Sequence, residues 1–209
     1  NIVSSILDCE IILSDLLNIR REDLLLNLDK KAKSEEISKF LENISKRKKK
    51  VPVSYITGKK DFWKTSFIVD RSVLIPRPDT ELIVEESLNL IPKSSSKRIL
   101  DLVTGSGCII ISILLERLNC KGAGVDISKA AIKIAKINAK MQHLENRVSF
   151  VNSDIDKFFF NNYDFIVSNP PYINKFKLSS LNEDVRLNEP PEALDGGPGG
   201  YSKLKKVIN

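Results

Sequence analysis

The chain has 209 residues, and with 42% of them hydrophobic it can bury one sizeable core plus a small second domain. No apolar run is long enough to cross a bilayer and no signal peptide is visible, so a membrane protein is not predicted. Three cysteines without paired or metal-type spacing and a single histidine argue against a disulfide framework, a His-centred triad and a metal site. A cytoplasmic protein fits best.

The formal charge of +6 indicates contact with something anionic, such as RNA or a ribosome-associated partner. Much of the excess sits in residues 46–50, a lysine- and arginine-rich run of a kind that is more often solvated than specific. We therefore predict no direct nucleic-acid binding. We also predict that the protein is a monomer. His143 lies in a polar stretch, which predicts a surface position.

Residues 1–52 predict a small helical domain. Apolar residues recur at helical spacing through residues 6–17, and a second short helix follows at 21–26. Ser34 is a plausible start for a third helix. One face of that third helix is apolar, with Ile37, Phe40, Leu41 and Ile44.

Residues 53–75 predict a β-hairpin that links two domains. Three strand-like stretches are separated by turn residues at Gly58 and Asp70-Arg71. The stretches are Tyr55–Thr57, Phe62-Trp63 and Ser66–Val69. Beyond the linker, Asp79 or Thr80 is expected to cap a helix that runs to about Ile91.

Residues 76–209 predict an α/β domain with a doubly wound parallel sheet, because strand and helix patterns alternate from residue 98 onward. The predicted strands are Arg98–Leu102, Gly122–Ile127, Arg147–Val151 and Tyr163–Ser168. Helices are expected at Ile109–Leu118 and Ser128–Met141.

A glycine turn, Asp101-Leu-Val-Thr-Gly-Ser-Gly107, follows the first predicted strand, where such sheets bind ligands. Asp126 ends the second strand about 20 residues later, from where a carboxylate reaches ribose hydroxyls. Charge-assisted hydrogen bonds there are worth roughly 1.5–3 kcal/mol each. The alternative is that Asp126 caps the next helix. A dinucleotide fingerprint needs a glycine where Ile110 stands, so S-adenosylmethionine fits better.

Asn169-Pro170-Pro171-Tyr172 directly follows the fourth predicted strand. Two prolines cannot continue the strand, so the chain turns outward there. An amide and rigid carbonyls could then accept both hydrogens of a planar amino group while an aromatic ring covers it. A proline-rich turn with an asparagine cap is an equally weighted reading of these four residues.

The chain resembles HemK-type methyltransferases over nearly its whole length. It shares with them Ile75–Glu81, Asp101–Gly107, Asn169–Tyr172 and Glu189–Gly196, in the same order. The resemblance implies a class I, Rossmann-like enzyme that uses S-adenosylmethionine. It also implies that this enzyme methylates the glutamine of the GGQ motif in peptide chain release factors.

By position, the resemblance also implies roles for single residues. The cofactor would contact the turn, Asp126 and Asn169, with Asp154 and Ile155 near the adenine; the turn residues are Val103, Thr104, Gly105, Ser106 and Gly107. Substrate glutamine would meet Asn169, Pro170, Pro171 and Tyr172, and of these Asn169, Pro170 and Tyr172 are the expected catalytic residues. Residues 77–81 are expected to close over the site or to form a proline-rich helix entry.

Two departures from the family stand out. Val103 occupies the position of the family's first glycine, where a positive φ would cost a β-branched residue about 1–3 kcal/mol. The family also has three further strands after residue 209, and residue 1 falls inside an apparent helix. We therefore expect a chain truncated at both ends, with the fourth strand at an open apolar edge.

Two other functions remain open from the sequence. A nucleic-acid amino-methyltransferase would share the Asn169–Tyr172 motif and suit the positive charge. A non-catalytic remnant would explain Val103 and the missing strands.

Overall fold

The computed structural model describes residues 4–159 and 162–208. The chain forms two compact units, one from Asn1–Gly58 with Asn182–Asn188 and the other from Lys59–Leu181 with Glu189–Asn209. The outer limits of the predicted domains, residues 1 and 209, lie outside the described residues. The predicted divisions after residues 52 and 75 stay predictions.

The first unit is helical, as predicted. Its helices are α1 Ser5–Leu16, α2 Arg21–Leu25, α3 Ser34–Lys48, α4 Val53–Thr57 and α8 Glu183–Arg186. Among the apolar side chains described in this unit, only Ile12 and Leu24 are buried. Ile37 and Leu41, expected on an apolar face of α3, are exposed. Apolar burial therefore contributes little to this unit.

A buried ion pair ties the first unit together. The Arg47 guanidinium donates to the Asp8 carboxylate and to that of Asp184, both at 2.7 Å. Asn188 donates to the carbonyl of Lys50 at 2.9 Å, which holds the far end of the Asn182–Asn188 segment. Removing one partner of such a buried pair typically costs about 3–5 kcal/mol, similar to truncating a large buried apolar side chain to alanine.

The strand predicted at Tyr55–Thr57 is wrong, because these residues lie in helix α4. Pro52 stands at its N-cap, and Gly58 ends it in the left-handed region at φ 75°. Local end signals outweigh β-branched and aromatic preferences in so short a segment. The hairpin itself is confirmed, with β1 Lys59–Phe62 antiparallel to β2 Thr65–Ile68. Trp63 lies in its turn at φ 57° rather than in a strand.

The second unit contains a four-stranded parallel sheet in the order β5–β4–β3–β6, which confirms the predicted fold class. Its strands are β3 Arg98–Leu102, β4 Lys121–Asp126, β5 Val148–Asn152 and β6 Phe165–Ser168. Each lies within two residues of its prediction. All four strands run in the same direction, so their carboxyl ends meet at one edge of the sheet.

Helices cover both faces of this sheet. They are α5 Glu81–Leu90, α6 Cys108–Glu116, α7 Lys129–Met141 and α9 Ser202–Ile208. Alternate residues of β3 point to the two faces: Ile99 packs with α6, whereas Leu100 packs with Val207 of α9. No helix in the described part of the chain is both long and apolar enough to cross a membrane.

Candidate active site

A cavity of about 470 Å³ opens at the carboxyl ends of the strands. Five parts of the second unit contribute to its lining: the turn after β3, the end of β4, the segment after β6, the approach to α5 and residues 190–193. The lining includes Val103–Ser106, Asp126–Ser128, Asn169, Pro171, Arg77 and Thr80. The topology therefore brings together most of the residues predicted for cofactor and substrate.

The glycine turn leaves its backbone open to this cavity. Gly105 has φ 54°, and a Cβ added there would meet nothing within 4 Å. Gly107 does not line the cavity but starts α6 at φ 80°, where a Cβ would lie 3.0 Å from the side chain of Ile111. A ligand can therefore approach the chain at Gly105, while Gly107 allows the tight entry into α6.

Val103 adopts φ 60°, which is the positive φ at which the sequence analysis expects a β-branched residue to be strained. A β-branched residue in the left-handed region is a genuine outlier, at a typical cost of about 1–3 kcal/mol. The neighbouring amide of Thr104 still donates to the Val125 carbonyl at 3.0 Å. The turn thus keeps its attachment to β4 despite the strained residue.

Asp126 anchors the glycine turn through its carboxylate. One carboxylate oxygen accepts from the Gly105 amide and the other from the Ser128 amide, both at 2.9 Å. The cap of α7 is Ser128, whose hydroxyl accepts from Ala131, so Asp126 is not the helix cap. Burial raises the pKa of Asp126, although the two amide donors lower it.

Asp101 is a buried carboxyl group that the sequence did not single out for chemistry. It accepts a hydrogen bond from the Thr104 hydroxyl at 2.6 Å, and its second oxygen has no hydrogen-bond partner among the described residues. Burial raises the pKa of Asp101 to about 7, and the Thr104 hydrogen bond opposes that shift. A group with this pKa changes charge near neutral pH.

Cys108 also lines the cavity, but its thiol is not a nucleophile. Burial raises the pKa of Cys108 to about 12, so the sulfur stays protonated at neutral pH. No group of three or more metal-ligating side chains occurs among residues 4–159 and 162–208.

Asn169 is oriented by one hydrogen bond from its side chain. Its amide nitrogen donates to the Thr80 hydroxyl at 3.1 Å, and Thr80 is 7% exposed. The side-chain oxygen of Asn169 and the carbonyl of buried Pro170 accept no hydrogen bond from any residue the structure describes. Two unused acceptors therefore lie in adjacent residues.

Tyr172 lies apart from this arrangement. It is 68% exposed and does not line the cavity, so its ring does not cover Asn169 in this structure. Two glycines allow the backbone to pack closely against Tyr172. A Cβ on Gly196 would lie 2.8 Å from the Tyr172 backbone, and one on Gly200 would lie 2.4 Å from its carbonyl oxygen.

Asp154 and Ile155 line a second cavity of about 230 Å³. Val103, Asp126 and Pro171 line both cavities. The two residues expected near an adenine therefore line a cavity that adjoins the one at the glycine turn, and the two cavities share a wall.

Arg77 and Glu189 join two segments at the rim. The Glu189 carboxylate is 3% exposed, pairs with Arg77 and accepts from the Ile75 amide at 3.3 Å. Burial raises the pKa of Glu189, while the Arg77 charge opposes that shift. The shared motifs contained both residues, but nothing in their spacing indicated this pairing.

The chain matches two family models. The Methyltransferase small domain matches residues 80–194, and the PrmC N-terminal domain matches residues 1–58. A release factor glutamine methyltransferase from Caulobacter vibrioides is 35% identical over 202 residues, covering 96% of this chain and 70% of that protein. One from Clostridium acetobutylicum is 37% identical over 210 residues, covering 97% and 72%.

Among solved structures, an SAM-dependent methyltransferase from Thiobacillus denitrificans in complex with S-adenosyl-L-homocysteine has a TM-score of 0.37 and 18% identity. The matched region covers 57% of this chain and 45% of the solved chain. The family models and the curated relatives are sufficient, and they show that this chain belongs to the release factor glutamine methyltransferases.

Proposed function

We propose that this protein transfers a methyl group from S-adenosylmethionine to the side-chain amide nitrogen of the GGQ glutamine in a peptide chain release factor. The observation that carries the proposal is the pair of unused acceptors at Asn169 and Pro170, beside a cavity with an open glycine turn. Family membership supports the same substrate.

Asn169 and Pro170 suit a primary amide as methyl acceptor. The nitrogen of Asn169 is engaged by Thr80, so its oxygen is the half left to accept a hydrogen bond. Pro170 has no N–H, and its carbonyl offers a second acceptor in the next residue. Two acceptors match the two N–H groups of a glutamine amide, whereas a hydroxyl would donate to only one of them and an ester to neither.

The physical need for such acceptors follows from amide chemistry. The nitrogen lone pair is delocalised into the carbonyl, so the nitrogen is a poor nucleophile. Acceptors aimed at both N–H groups hold its orientation and stabilise the positive charge that develops on nitrogen during transfer. Transfer leaves a cationic nitrogen that carries the methyl group and both hydrogens; this cation is acidic enough to release a proton to water, so a general base is not required.

The residues around the glycine turn fit S-adenosylmethionine. Gly105 lets a ligand approach the backbone, and the Asp126 carboxylate provides acceptors for ribose hydroxyls. Asp154 and Ile155 line the adjoining cavity, where an adenine would lie. When bound, the sulfonium supplies an activated methyl group with its own leaving group.

Mass spectrometry of a release factor incubated with this protein and S-adenosylmethionine tests the proposal. We expect a mass gain of one methyl group on the GGQ glutamine, and a far smaller methylated fraction in the same time with Asn169→Ala. A release factor with that glutamine replaced by asparagine is the substrate control. Methylation of an adenine-containing oligonucleotide instead would point to the nucleic-acid alternative.

The proposal includes a cytoplasmic monomer that acts on a protein substrate. Light scattering of the purified protein tests the monomer. A dimer at micromolar concentration would overturn that part without touching the chemistry.

A further inference from the structure

Four lysines form a stripe along α7: Lys129, Lys133, Lys136 and Lys140, here called the lysine stripe. They are spaced four, three and four residues apart, so at 3.6 residues per turn they share an arc of about 60°. At 1.5 Å per residue the stripe is roughly 16 Å long. All four side chains belong to exposed residues.

The lysine stripe is not neutralised by its own helix. Residues 129–141 contain four lysines and no acidic residue, which gives +4 for this helix against +6 for the whole chain. None of the four forms an ion pair with any residue the structure describes. In α3, by contrast, Lys39 and Lys46 both pair with Glu42.

This arrangement carries a cost within the helix. Like charges four residues apart destabilise a helix by roughly 0.2–0.5 kcal/mol per pair, and a lysine in the first turn opposes the helix dipole. Lys140, in the last turn, favours the helix dipole, but no acidic side chain of α7 compensates the repulsion along the rest of the stripe. An anionic partner would turn the same charges into favourable contacts.

Apolar surface accompanies the charge. The lysine stripe borders a groove to which Ile132 and Ile137 also contribute. Ile137 is 38% exposed and Met141 is 49% exposed beside it. The opposite face of α7 is fixed, because the Asn138 amide donates to the carbonyls of Ile68 and Ser106 at 3.0 Å and 2.9 Å. The stripe and groove are therefore presented in a constant orientation.

We propose that the lysine stripe and its groove dock an acidic amphipathic helix of a protein partner. Carboxylates three and four residues apart on such a helix would repeat the spacing of the lysines, and its apolar residues would enter the groove at Ile137. A nucleic acid fits less well, because α7 has neither arginine nor an aromatic ring for base stacking.

Fluorescence anisotropy with a labelled synthetic helix tests the proposal. The probe carries glutamates at the spacing of the stripe, with leucines beside them, and a scrambled peptide of the same composition is the reference. The double variant Lys133→Glu with Lys136→Glu reverses the centre of the stripe. Lys48→Glu with Lys49→Glu changes the net charge equally on α3, and Ile137→Ser removes the apolar contact.

We expect the stripe reversal to weaken binding at least tenfold, about 1.4 kcal/mol, and the α3 reversal to change it less than about twofold. Ile137→Ser should weaken binding about threefold, and circular dichroism should show every variant folded. Equal losses in both reversals would overturn the proposal in favour of net charge alone. No preference for the ordered peptide over the scrambled one would also overturn it, as would tighter, stripe-dependent binding of a single-stranded RNA oligomer.

Discussion

The two walls of the active-site cavity present different chemical groups. The donor wall consists of Val103–Ser106 and Asp126, and it offers backbone and carboxylate groups. The acceptor wall consists of Thr80, Asn169 and Pro171, with buried Pro170 between the last two, and it depends on one side-chain amide held by one hydrogen bond. Binding of the methyl donor is thus spread over many atoms, whereas orientation of the acceptor is concentrated in a few.

This difference predicts how variants divide. Changes to the donor wall should alter cofactor affinity in graded steps. Changes to the acceptor wall should alter the rate of transfer and leave cofactor affinity nearly constant. Four of the five variants below test that division, and Asp101→Asn tests the buried carboxyl group next to the turn; they run from the largest expected effect to the smallest.

Asn169→Ala should lower the rate of methyl transfer about 10²–10³-fold, as loss of one preorganised polar group at a reacting centre typically does. Cofactor affinity by isothermal titration should change less than about twofold. Asn146→Ala, at an exposed position, is the matched control. An equal loss of binding and rate would show that the two walls are not separate.

Asp101→Asn should change how stability depends on pH. The pKa of Asp101 lies at about 7 in the folded protein against an ordinary value of 3.8, so the native state keeps a proton that the unfolded chain releases. Its contribution is complete below about pH 4 and is lost as pH rises through about 7. The loss is on the order of 4 kcal/mol.

The measurement is urea unfolding of wild type and Asp101→Asn at several pH values. The free energy of unfolding of the variant relative to wild type should rise between pH 4 and pH 7. Parallel curves would contradict a raised pKa at this residue.

Asp126→Asn should weaken cofactor binding about tenfold to a hundredfold, since charge-assisted hydrogen bonds contribute roughly 1.5–3 kcal/mol each. The rate at saturating cofactor should change little. Glu145→Gln removes a carboxylate at an exposed position and serves as the control in the same titration. Unchanged affinity would remove Asp126 from the donor wall.

Thr80→Val should lower the rate about tenfold, because the Asn169 amide then loses the acceptor that orients it. Thr80→Ser keeps a hydroxyl and should recover most of the activity, which a purely steric role would not explain. Cofactor affinity should stay constant in both variants. A Thr80→Val enzyme with wild-type rate would mean that Asn169 is held by other contacts.

Val103→Gly should stabilise the protein by about 1 kcal/mol, since relief of a left-handed β-branched residue exceeds the added entropy of a glycine in the unfolded chain. Cofactor binding should tighten a few-fold. Val103→Ala keeps a Cβ at the same φ and should gain much less. A lower melting temperature for Val103→Gly would show that the valine side chain contributes more than its strain costs. Unchanged cofactor affinity would remove Val103 as a reason to regard the chain as a non-catalytic remnant.

Much of the sheet could be predicted from the sequence, for reasons visible in β3. Its residues alternate between two cores, and the predicted Arg98–Leu102 coincides with the observed strand. Helix α4 was mistaken for a strand because Tyr55, Ile56 and Thr57 favour strands by type, whereas Pro52 and Gly58 fix the ends of a helix.

The acceptor wall was only half predictable. Asn169 and Pro170 were expected from their motif, but Asn169 is oriented by donating a hydrogen bond to Thr80, 89 positions away in the chain. The Arg77–Glu189 pair joins residues 112 positions apart. Such contacts depend on the path of the whole chain, and local spacing carries no signal for them.

A crystal structure with S-adenosylhomocysteine and a GGQ-containing peptide tests the roles of Asn169 and Pro170 directly. We expect the glutamine nitrogen to lie within hydrogen-bond distance of both the Asn169 side-chain oxygen and the Pro170 carbonyl, with Asn169 still donating to Thr80. A glutamine bound elsewhere, or an Asn169 amide turned away from it, would rule out these roles.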